Sequence, residues 1–97
     1  MAAVQRHGRR RRTPRLDISW QGNTSGHPRF GLVVPLFGQT VVSRNRLRRR
    51  LREILRRRVL TALGPTDVVI RSRADGYRAS FSELTEDLES WARSLSE

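Results

Sequence analysis

The 97 residues include no cysteine and no lysine, only two histidines, and 6% aromatic residues. Without cysteine there are no disulfides or thiolate metal sites, and a reducing compartment is allowed. No apolar run approaches membrane-spanning length. Glycines Gly22, Gly26, Gly31 and Gly38 are scattered through turns and a strand, without Walker or dinucleotide spacing, so nothing signals a nucleotide cofactor. His7 and His27 fall in segments read as flexible. The acids gather in the last helical segment, where no spacing matches a metal site. Intrinsic catalysis therefore ranks below binding, and no catalytic residue is expected.

What is abundant is arginine. All 20 basic residues are arginine, against 9 acids, giving a net charge of +11. Either selection for bidentate phosphate contacts or an arginine-rich codon usage explains this bias, and the second is favoured. A balance so positive makes nucleic acid the default partner. Hydrophobic residues make up 36%, enough for one modest core. We expect residues 1–14 to form a basic flexible arm around Arg9, Arg10, Arg11 and Arg12, and residues 15–97 a single RNA-binding domain. The first fifteen residues lack acids, as transit peptides do, but also lack serine and an amphipathic period. The expected location is cytoplasmic.

Residues 16–20, LDISW, alternate with Leu16, Ile18 and Trp20 on one face. After the turn-rich QGNTSGHP, residues 29–34, RFGLVV, align Phe30, Leu32 and Val34, and the two strands read as an antiparallel pair. Pro35 ends that ladder and Gly38 allows a sharp turn into a helix beginning near Thr40 and running to about Ala62, before Gly64 and Pro65. Residues 67–73, DVVIRSR, suit a buried strand, parallel to its neighbour after a helical crossover. Ser80 and Glu83 have capping-box spacing, and Phe81, Leu84, Leu88, Trp91 and Leu95 repeat along one face of a final helix. Its other face carries Glu83, Glu86, Asp87 and Glu89, which repel phosphates.

The stretch Arg44 to Arg58, RNRLRRRLREILRRR, is the most informative. Leu47, Leu51, Ile54 and Leu55 fall within one narrow arc while nine arginines occupy the rest, interrupted by Glu53. Such crowding of like charge is unfavourable unless a polyanion neutralises it. With about six to ten phosphate contacts on a duplex, affinity would fall by roughly three to five decades between 50 and 200 mM salt. Asn45 has two readings, a contact to a base edge or 2′-hydroxyl and a helix cap, and spacing favours the cap. The arc is too narrow for a membrane-surface helix to be preferred.

In Gly38-Gln-Thr-Val-Val-Ser-Arg-Asn-Arg-Leu-Arg-Arg-Arg-Leu-Arg-Glu53, preceded by RFGLVV and followed by DVVIRSR and ASFSELTEDLESW, the chain resembles the protein subunit of bacterial ribonuclease P. The resemblance covers about Leu16 to Leu95. It implies a small two-layer α/β (α+β) sandwich with a left-handed βαβ crossover around the arginine-rich helix. It also implies a protein that binds a catalytic RNA and assists removal of the 5′ leader from precursor tRNA. In that family the RNA cleaves, using Mg²⁺ in the holoenzyme, and the protein alone binds no cofactor. By motif position, Arg44, Asn45, Arg46, Arg48, Arg49 and Arg52 should face the catalytic RNA, with Arg48 where lysine is more usual.

Two departures accompany the match. His7-Gly8 aligns just after the family's first helix, so most of that helix is expected to be absent; Trp20 and Phe30 become the candidate leader-contacting residues, although packing is favoured for both. Pro35-Leu36-Phe37 stands where the family often has Ser-Lys-Lys, one residue shorter, so a phosphate contact is expected to be missing. The alternative is a general structured-RNA-binding or ribosome-associated protein without a role in tRNA processing. No membrane partner is expected, and one monomer per RNA is the expected stoichiometry.

Overall fold

The computed structural model describes residues 8–95. Its strands are β1 (Arg9–Arg12), β2 (Leu16–Gly22), β3 (Arg29–Val33) and β4 (Thr66–Ser72), and its two long helices are α1 (Val41–Ile54) and α2 (Phe81–Leu95). The sheet order is β1-β2-β4-β3. β4 lies between β2, which it pairs antiparallel with Ile18 opposite Ile70, and β3, which it pairs parallel with Leu32 opposite Ile70. Alternation then sorts the side chains. Leu16, Ile18, Val68, Ile70 and Val34 are buried against α1 and α2 together with Leu47, Leu51, Ile54, Leu84, Leu88 and Trp91. Arg10, Arg12, Asp17, Ser19, Val69 and Arg71 occupy the opposite phase, on the face the two helices leave uncovered.

Two expectations are corrected here. β2 and β3 do not pair with each other, because β4 lies between them. Its Val68, Val69 and Ile70 are all buried, which suits the sheet's interior, and the helical crossover from β3 returns the chain parallel beside it. Nor is the whole basic arm outside the fold, for Arg9–Arg12 form a strand whose Arg9 lies opposite Trp20. The corner at Thr13 makes that hairpin. The Thr13 hydroxyl accepts from the Leu16 amide at 2.9 Å, and the Thr13 amide donates to the Leu16 carbonyl at 2.8 Å. Four arginines on a sheet edge also guard it against pairing with another chain. The expected shortening of the first helix falls on residues 1–7, outside the described residues.

Helix α1 starts where the Thr40 hydroxyl accepts from the Ser43 amide at 3.0 Å. After Ile54 the chain stays helical but widens into a π-turn over Leu55–Val59, then tightens into a 3-10 turn over Leu60–Ala62. Steps of four residues on an α-helix overshoot a full turn, so Leu47, Leu51 and Leu55 drift around the axis. A wider turn reverses that drift, and Val59 is as fully buried as Leu51 and Leu55. Helix α2 begins with the expected capping box: the Glu83 amide donates to the Ser80 hydroxyl at 3.0 Å and the Ser80 amide to the Glu83 carboxylate at 2.9 Å. Its buried stripe is Leu84, Thr85, Leu88, Trp91 and Ala92. Phe81 and Leu95, at the helix ends, remain 40% and 36% exposed, so the apolar repeat is longer than the core it meets.

Candidate nucleic-acid interface

The leucine arc fixes how α1 lies. With Leu47, Leu51 and Ile54 buried, the 100° advance per residue places Asn45, Arg49, Arg52 and Arg56 along the ridge farthest from the core, with Arg46 and Arg48 on its flanks. Asn45, Arg46, Arg49, Arg52 and Arg56 are exposed, whereas Arg44 and Arg48 are half-buried. The Nε groups of Arg44 and Arg48 are shielded and lack a hydrogen-bond partner within the fold. Asn45 is no cap. Thr40 takes that role, and Asn45 stands one turn inside the helix with its amide free for a base edge or 2′-hydroxyl.

The acids are elsewhere. Among the described residues, Arg44, Arg46, Arg48, Arg49, Arg50 and Arg52 have no carboxylate within 4 Å, while Arg57 meets Glu53 at 3.2 Å and Arg58 meets Glu89 at 4.0 Å. Arg15 is held by Glu83 at 2.7 Å and Asp87 at 3.1 Å. Arg29 grips Asp67 through two hydrogen bonds of 2.8 Å, and Asn23 adds another of 2.8 Å. The hydrogen bond from Arg29, followed by that from Asn23, holds the Asp67 carboxyl below the usual carboxylate range, and Arg29 is raised in return. Glu83 is likewise lowered, chiefly by the Ser80 backbone N–H and then by the charge of Arg15.

The β1 arginines divide between the two faces. Arg12 pairs with Asp17 at 2.9 Å and Arg11 donates to the Ser94 hydroxyl at 3.3 Å, so both are engaged in the fold. Arg10 faces a shallow groove on the uncovered sheet face with Asp17, Ser19, Val69 and Arg71. Arg9 borders a cleft with Gly8, Trp20, Gln21 and Gly22. No sequence motif marks Arg71 as a site residue. Its signal was positional, as the outward residue of a strand whose neighbours Ile70 and Ser72 point inward. Trp20 and Phe30 both pack against the core, and the Trp20 ring meets Trp91 edge-on at 5.5 Å and 66°. Neither ring lies flat on the uncovered face as a stacking platform; Trp20 alone keeps an edge in the Arg9 cleft.

The α1 arginines therefore form a cationic ridge on a folded support, and Arg10 and Arg71 lie on the opposite, uncovered face of the sheet; among the described residues no group of three or more His, Asp or Glu side chains is placed to hold a metal. Among the described residues, no helix is long and apolar enough to cross a membrane. The fold is similar to solved structures of the RNase P protein from Thermotoga maritima, with a TM-score of 0.84 and 23% identity over 95% of this chain and 90% of that one. It is similar also to that of Staphylococcus aureus, with a TM-score of 0.78 and 15% identity over 99% and 87%. In sequence, the chain is 35% identical to the ribonuclease P protein component of Syntrophobacter fumaroxidans, covering 88% of this chain and 72% of that protein. It is 37% identical to that of Brucella suis, covering 86% and 66%. The family model of ribonuclease P matches residues 2–96, and the chain belongs to the ribonuclease P protein family.

Proposed function

We propose that this chain is the protein subunit of a ribonuclease P holoenzyme, binding the catalytic RNA through the outer ridge of α1 and assisting 5′ leader removal from precursor tRNA. The observation that carries the proposal is the carboxylate-free run of arginines from Arg44 to Arg52 on a helix whose other side is anchored in the core. Arg44, Arg46, Arg48, Arg49 and Arg52 neutralise RNA phosphates, and Asn45 reaches a base edge or 2′-hydroxyl. Of the β1 arginines, Arg9 and Arg10 offer a second basic patch at the far edge of the sheet, separate from the α1 ridge, while Arg11 and Arg12 serve mainly to seat the strand. For the leader we keep only the Trp20 edge beside Arg9.

Catalysis is assigned to the RNA. Mg²⁺ is expected in the holoenzyme, and the described residues offer it no clustered carboxylates, so its site belongs to the RNA in this reading. The protein's part is to screen phosphate repulsion and position the precursor, in the cytoplasm, as one copy per RNA. The test is cleavage of a precursor tRNA by a bacterial ribonuclease P RNA at low Mg²⁺ and moderate salt, with and without this protein. Restored cleavage is expected. Tight binding to unrelated structured RNAs without restored cleavage would favour a general RNA-binding protein instead.

A further inference from the structure

Between β3 and α1 the chain makes a tight turn at residues 36–39. The Gln39 amide donates to the Leu36 carbonyl at 2.8 Å, and the central residues Phe37 and Gly38 both have positive φ, 49° and 79°. That is the type I′ pattern, which favours asparagine or glycine at both central positions. A phenylalanine there is strained by its Cβ. Strain of this kind persists when packing repays it, but Phe37 is 49% exposed. The turn itself is held firmly, for the Tyr77 hydroxyl donates to the Pro35 carbonyl at 2.6 Å and Thr40 caps the helix immediately after.

Phe37 is also not alone. Leu36, Val41 and Val42 are 37%, 53% and 68% exposed, so four of the six exposed large hydrophobic residues among those described fall within residues 36–42. Val42 precedes Asn45 and Arg46 by three and four residues, so the patch runs into the arginine ridge at its N-terminal end. An apolar ring near guanidiniums that have no carboxylate within 4 Å fits an unstacked nucleobase with its phosphates, not a protein surface, which would need acids to match those arginines.

We propose that Phe37 is a base-stacking platform, held outward by the strained turn, on which the RNA bound by α1 seats an unpaired nucleobase. The proposal rests on the RNA-binding reading of α1. Stacking supplies affinity that does not depend on counterion release, so it separates from the arginine contribution by its salt signature.

The test compares binding of a transcribed bacterial ribonuclease P RNA to the full chain and to Phe37→Asn, Phe37→Leu and Phe37→Trp, over a salt series. Phe37→Asn should weaken binding roughly ten-fold with the salt slope unchanged, while the melting temperature stays level or rises, because asparagine suits the left-handed turn. Phe37→Leu should bind as weakly as Phe37→Asn, and Phe37→Trp should bind like the parent chain. Equal binding by all four proteins would overturn the platform while leaving the α1 reading intact. A lower melting temperature in Phe37→Asn would make the ring a packing residue and overturn it too. So would sedimentation showing that Phe37→Asn splits a dimer without changing RNA affinity, since the patch would then belong to a second copy of the chain. Failure of the parent chain to bind the RNA would defeat the underlying reading itself.

Discussion

The two helices bury similar faces and present opposite ones. On α1, Leu47, Leu51 and Ile54 go into the core, and on α2, Leu84, Leu88 and Trp91 do the same. Outward, α1 shows guanidiniums that find no carboxylate until Arg57 and Arg58, whereas α2 shows acids already engaged. Glu83 and Asp87 hold Arg15, Glu89 approaches Arg58, and Glu86 meets Arg93 at 3.4 Å. Charge that the protein neutralises itself tethers one element to another. Charge it leaves unpaired is unfavourable alone and is relieved by a partner. The contrast separates what holds this fold from what the fold holds out.

If that division is right, cutting the inner faces should hurt both helices alike. Leu51→Ala and Leu88→Ala, both at fully buried positions, should each cost about 2 to 5 kcal/mol of stability. Denaturant melts would measure this, and the still-folded protein should bind RNA as before. An unchanged melt for Leu51→Ala would mean that the arc does not face the core.

Cutting the outer faces should break the symmetry. Replacing Arg46 and Arg49 together with alanine should leave melting unchanged, weaken RNA binding by roughly one to two decades at physiological salt, and reduce the salt slope by about one to two units. Loss of folding would place these side chains in the structure's own service. On α2, Asp87→Asn should behave oppositely, leaving RNA affinity alone and costing roughly 1 kcal/mol, because its carboxylate accepts from Thr13 at 3.0 Å and from Arg15 at 3.1 Å.

The contrast was largely legible in the sequence, since both apolar arcs and both outward charge patterns follow from helical spacing. The capping box at Ser80 and Glu83 was legible too, because it is a local signature. What escaped was non-local. RRRR carries no alternation, so nothing in Arg9–Arg12 announces a strand; the Thr13 corner and the free edge of β2 recruit it. The neighbours of β2 could not be read from its own residues, because its partners on β4 lie far along the chain, Thr66 opposite Gly22 and Val68 opposite Trp20. Asn45 looked like a cap because it precedes the leucine repeat, yet Thr40, three residues before Ser43, had the better geometry. The left-handed turn at Phe37 broke a local rule, and such conflicts tend to fall where the chain serves something besides its own fold.

The smallest expected effect distinguishes the helices by pH. Among the described residues, the arginines from Arg44 to Arg52 on α1 have no carboxylate partner in the fold, so removing Arg46 and Arg49 takes no ion pair from the folded state. Glu83 on α2 has its carboxyl lowered in the folded state by the Ser80 backbone N–H and the charge of Arg15. A group whose folded value lies below its unfolded value binds fewer protons when folded, so it stabilises fully above the ordinary carboxylate range. That contribution is lost as pH falls through the lowered folded value. Asp67, lowered by Arg29 and Asn23, behaves the same way on the sheet. Melting temperature should therefore fall on acidification through the carboxylate range. Glu83→Gln should flatten part of that decline, and the Arg46→Ala/Arg49→Ala protein should follow the parent curve. A parent-like acid profile in Glu83→Gln would show that the α2 acids contribute to stability by geometry alone, with the charge pairing that sets this helix apart from α1 adding nothing.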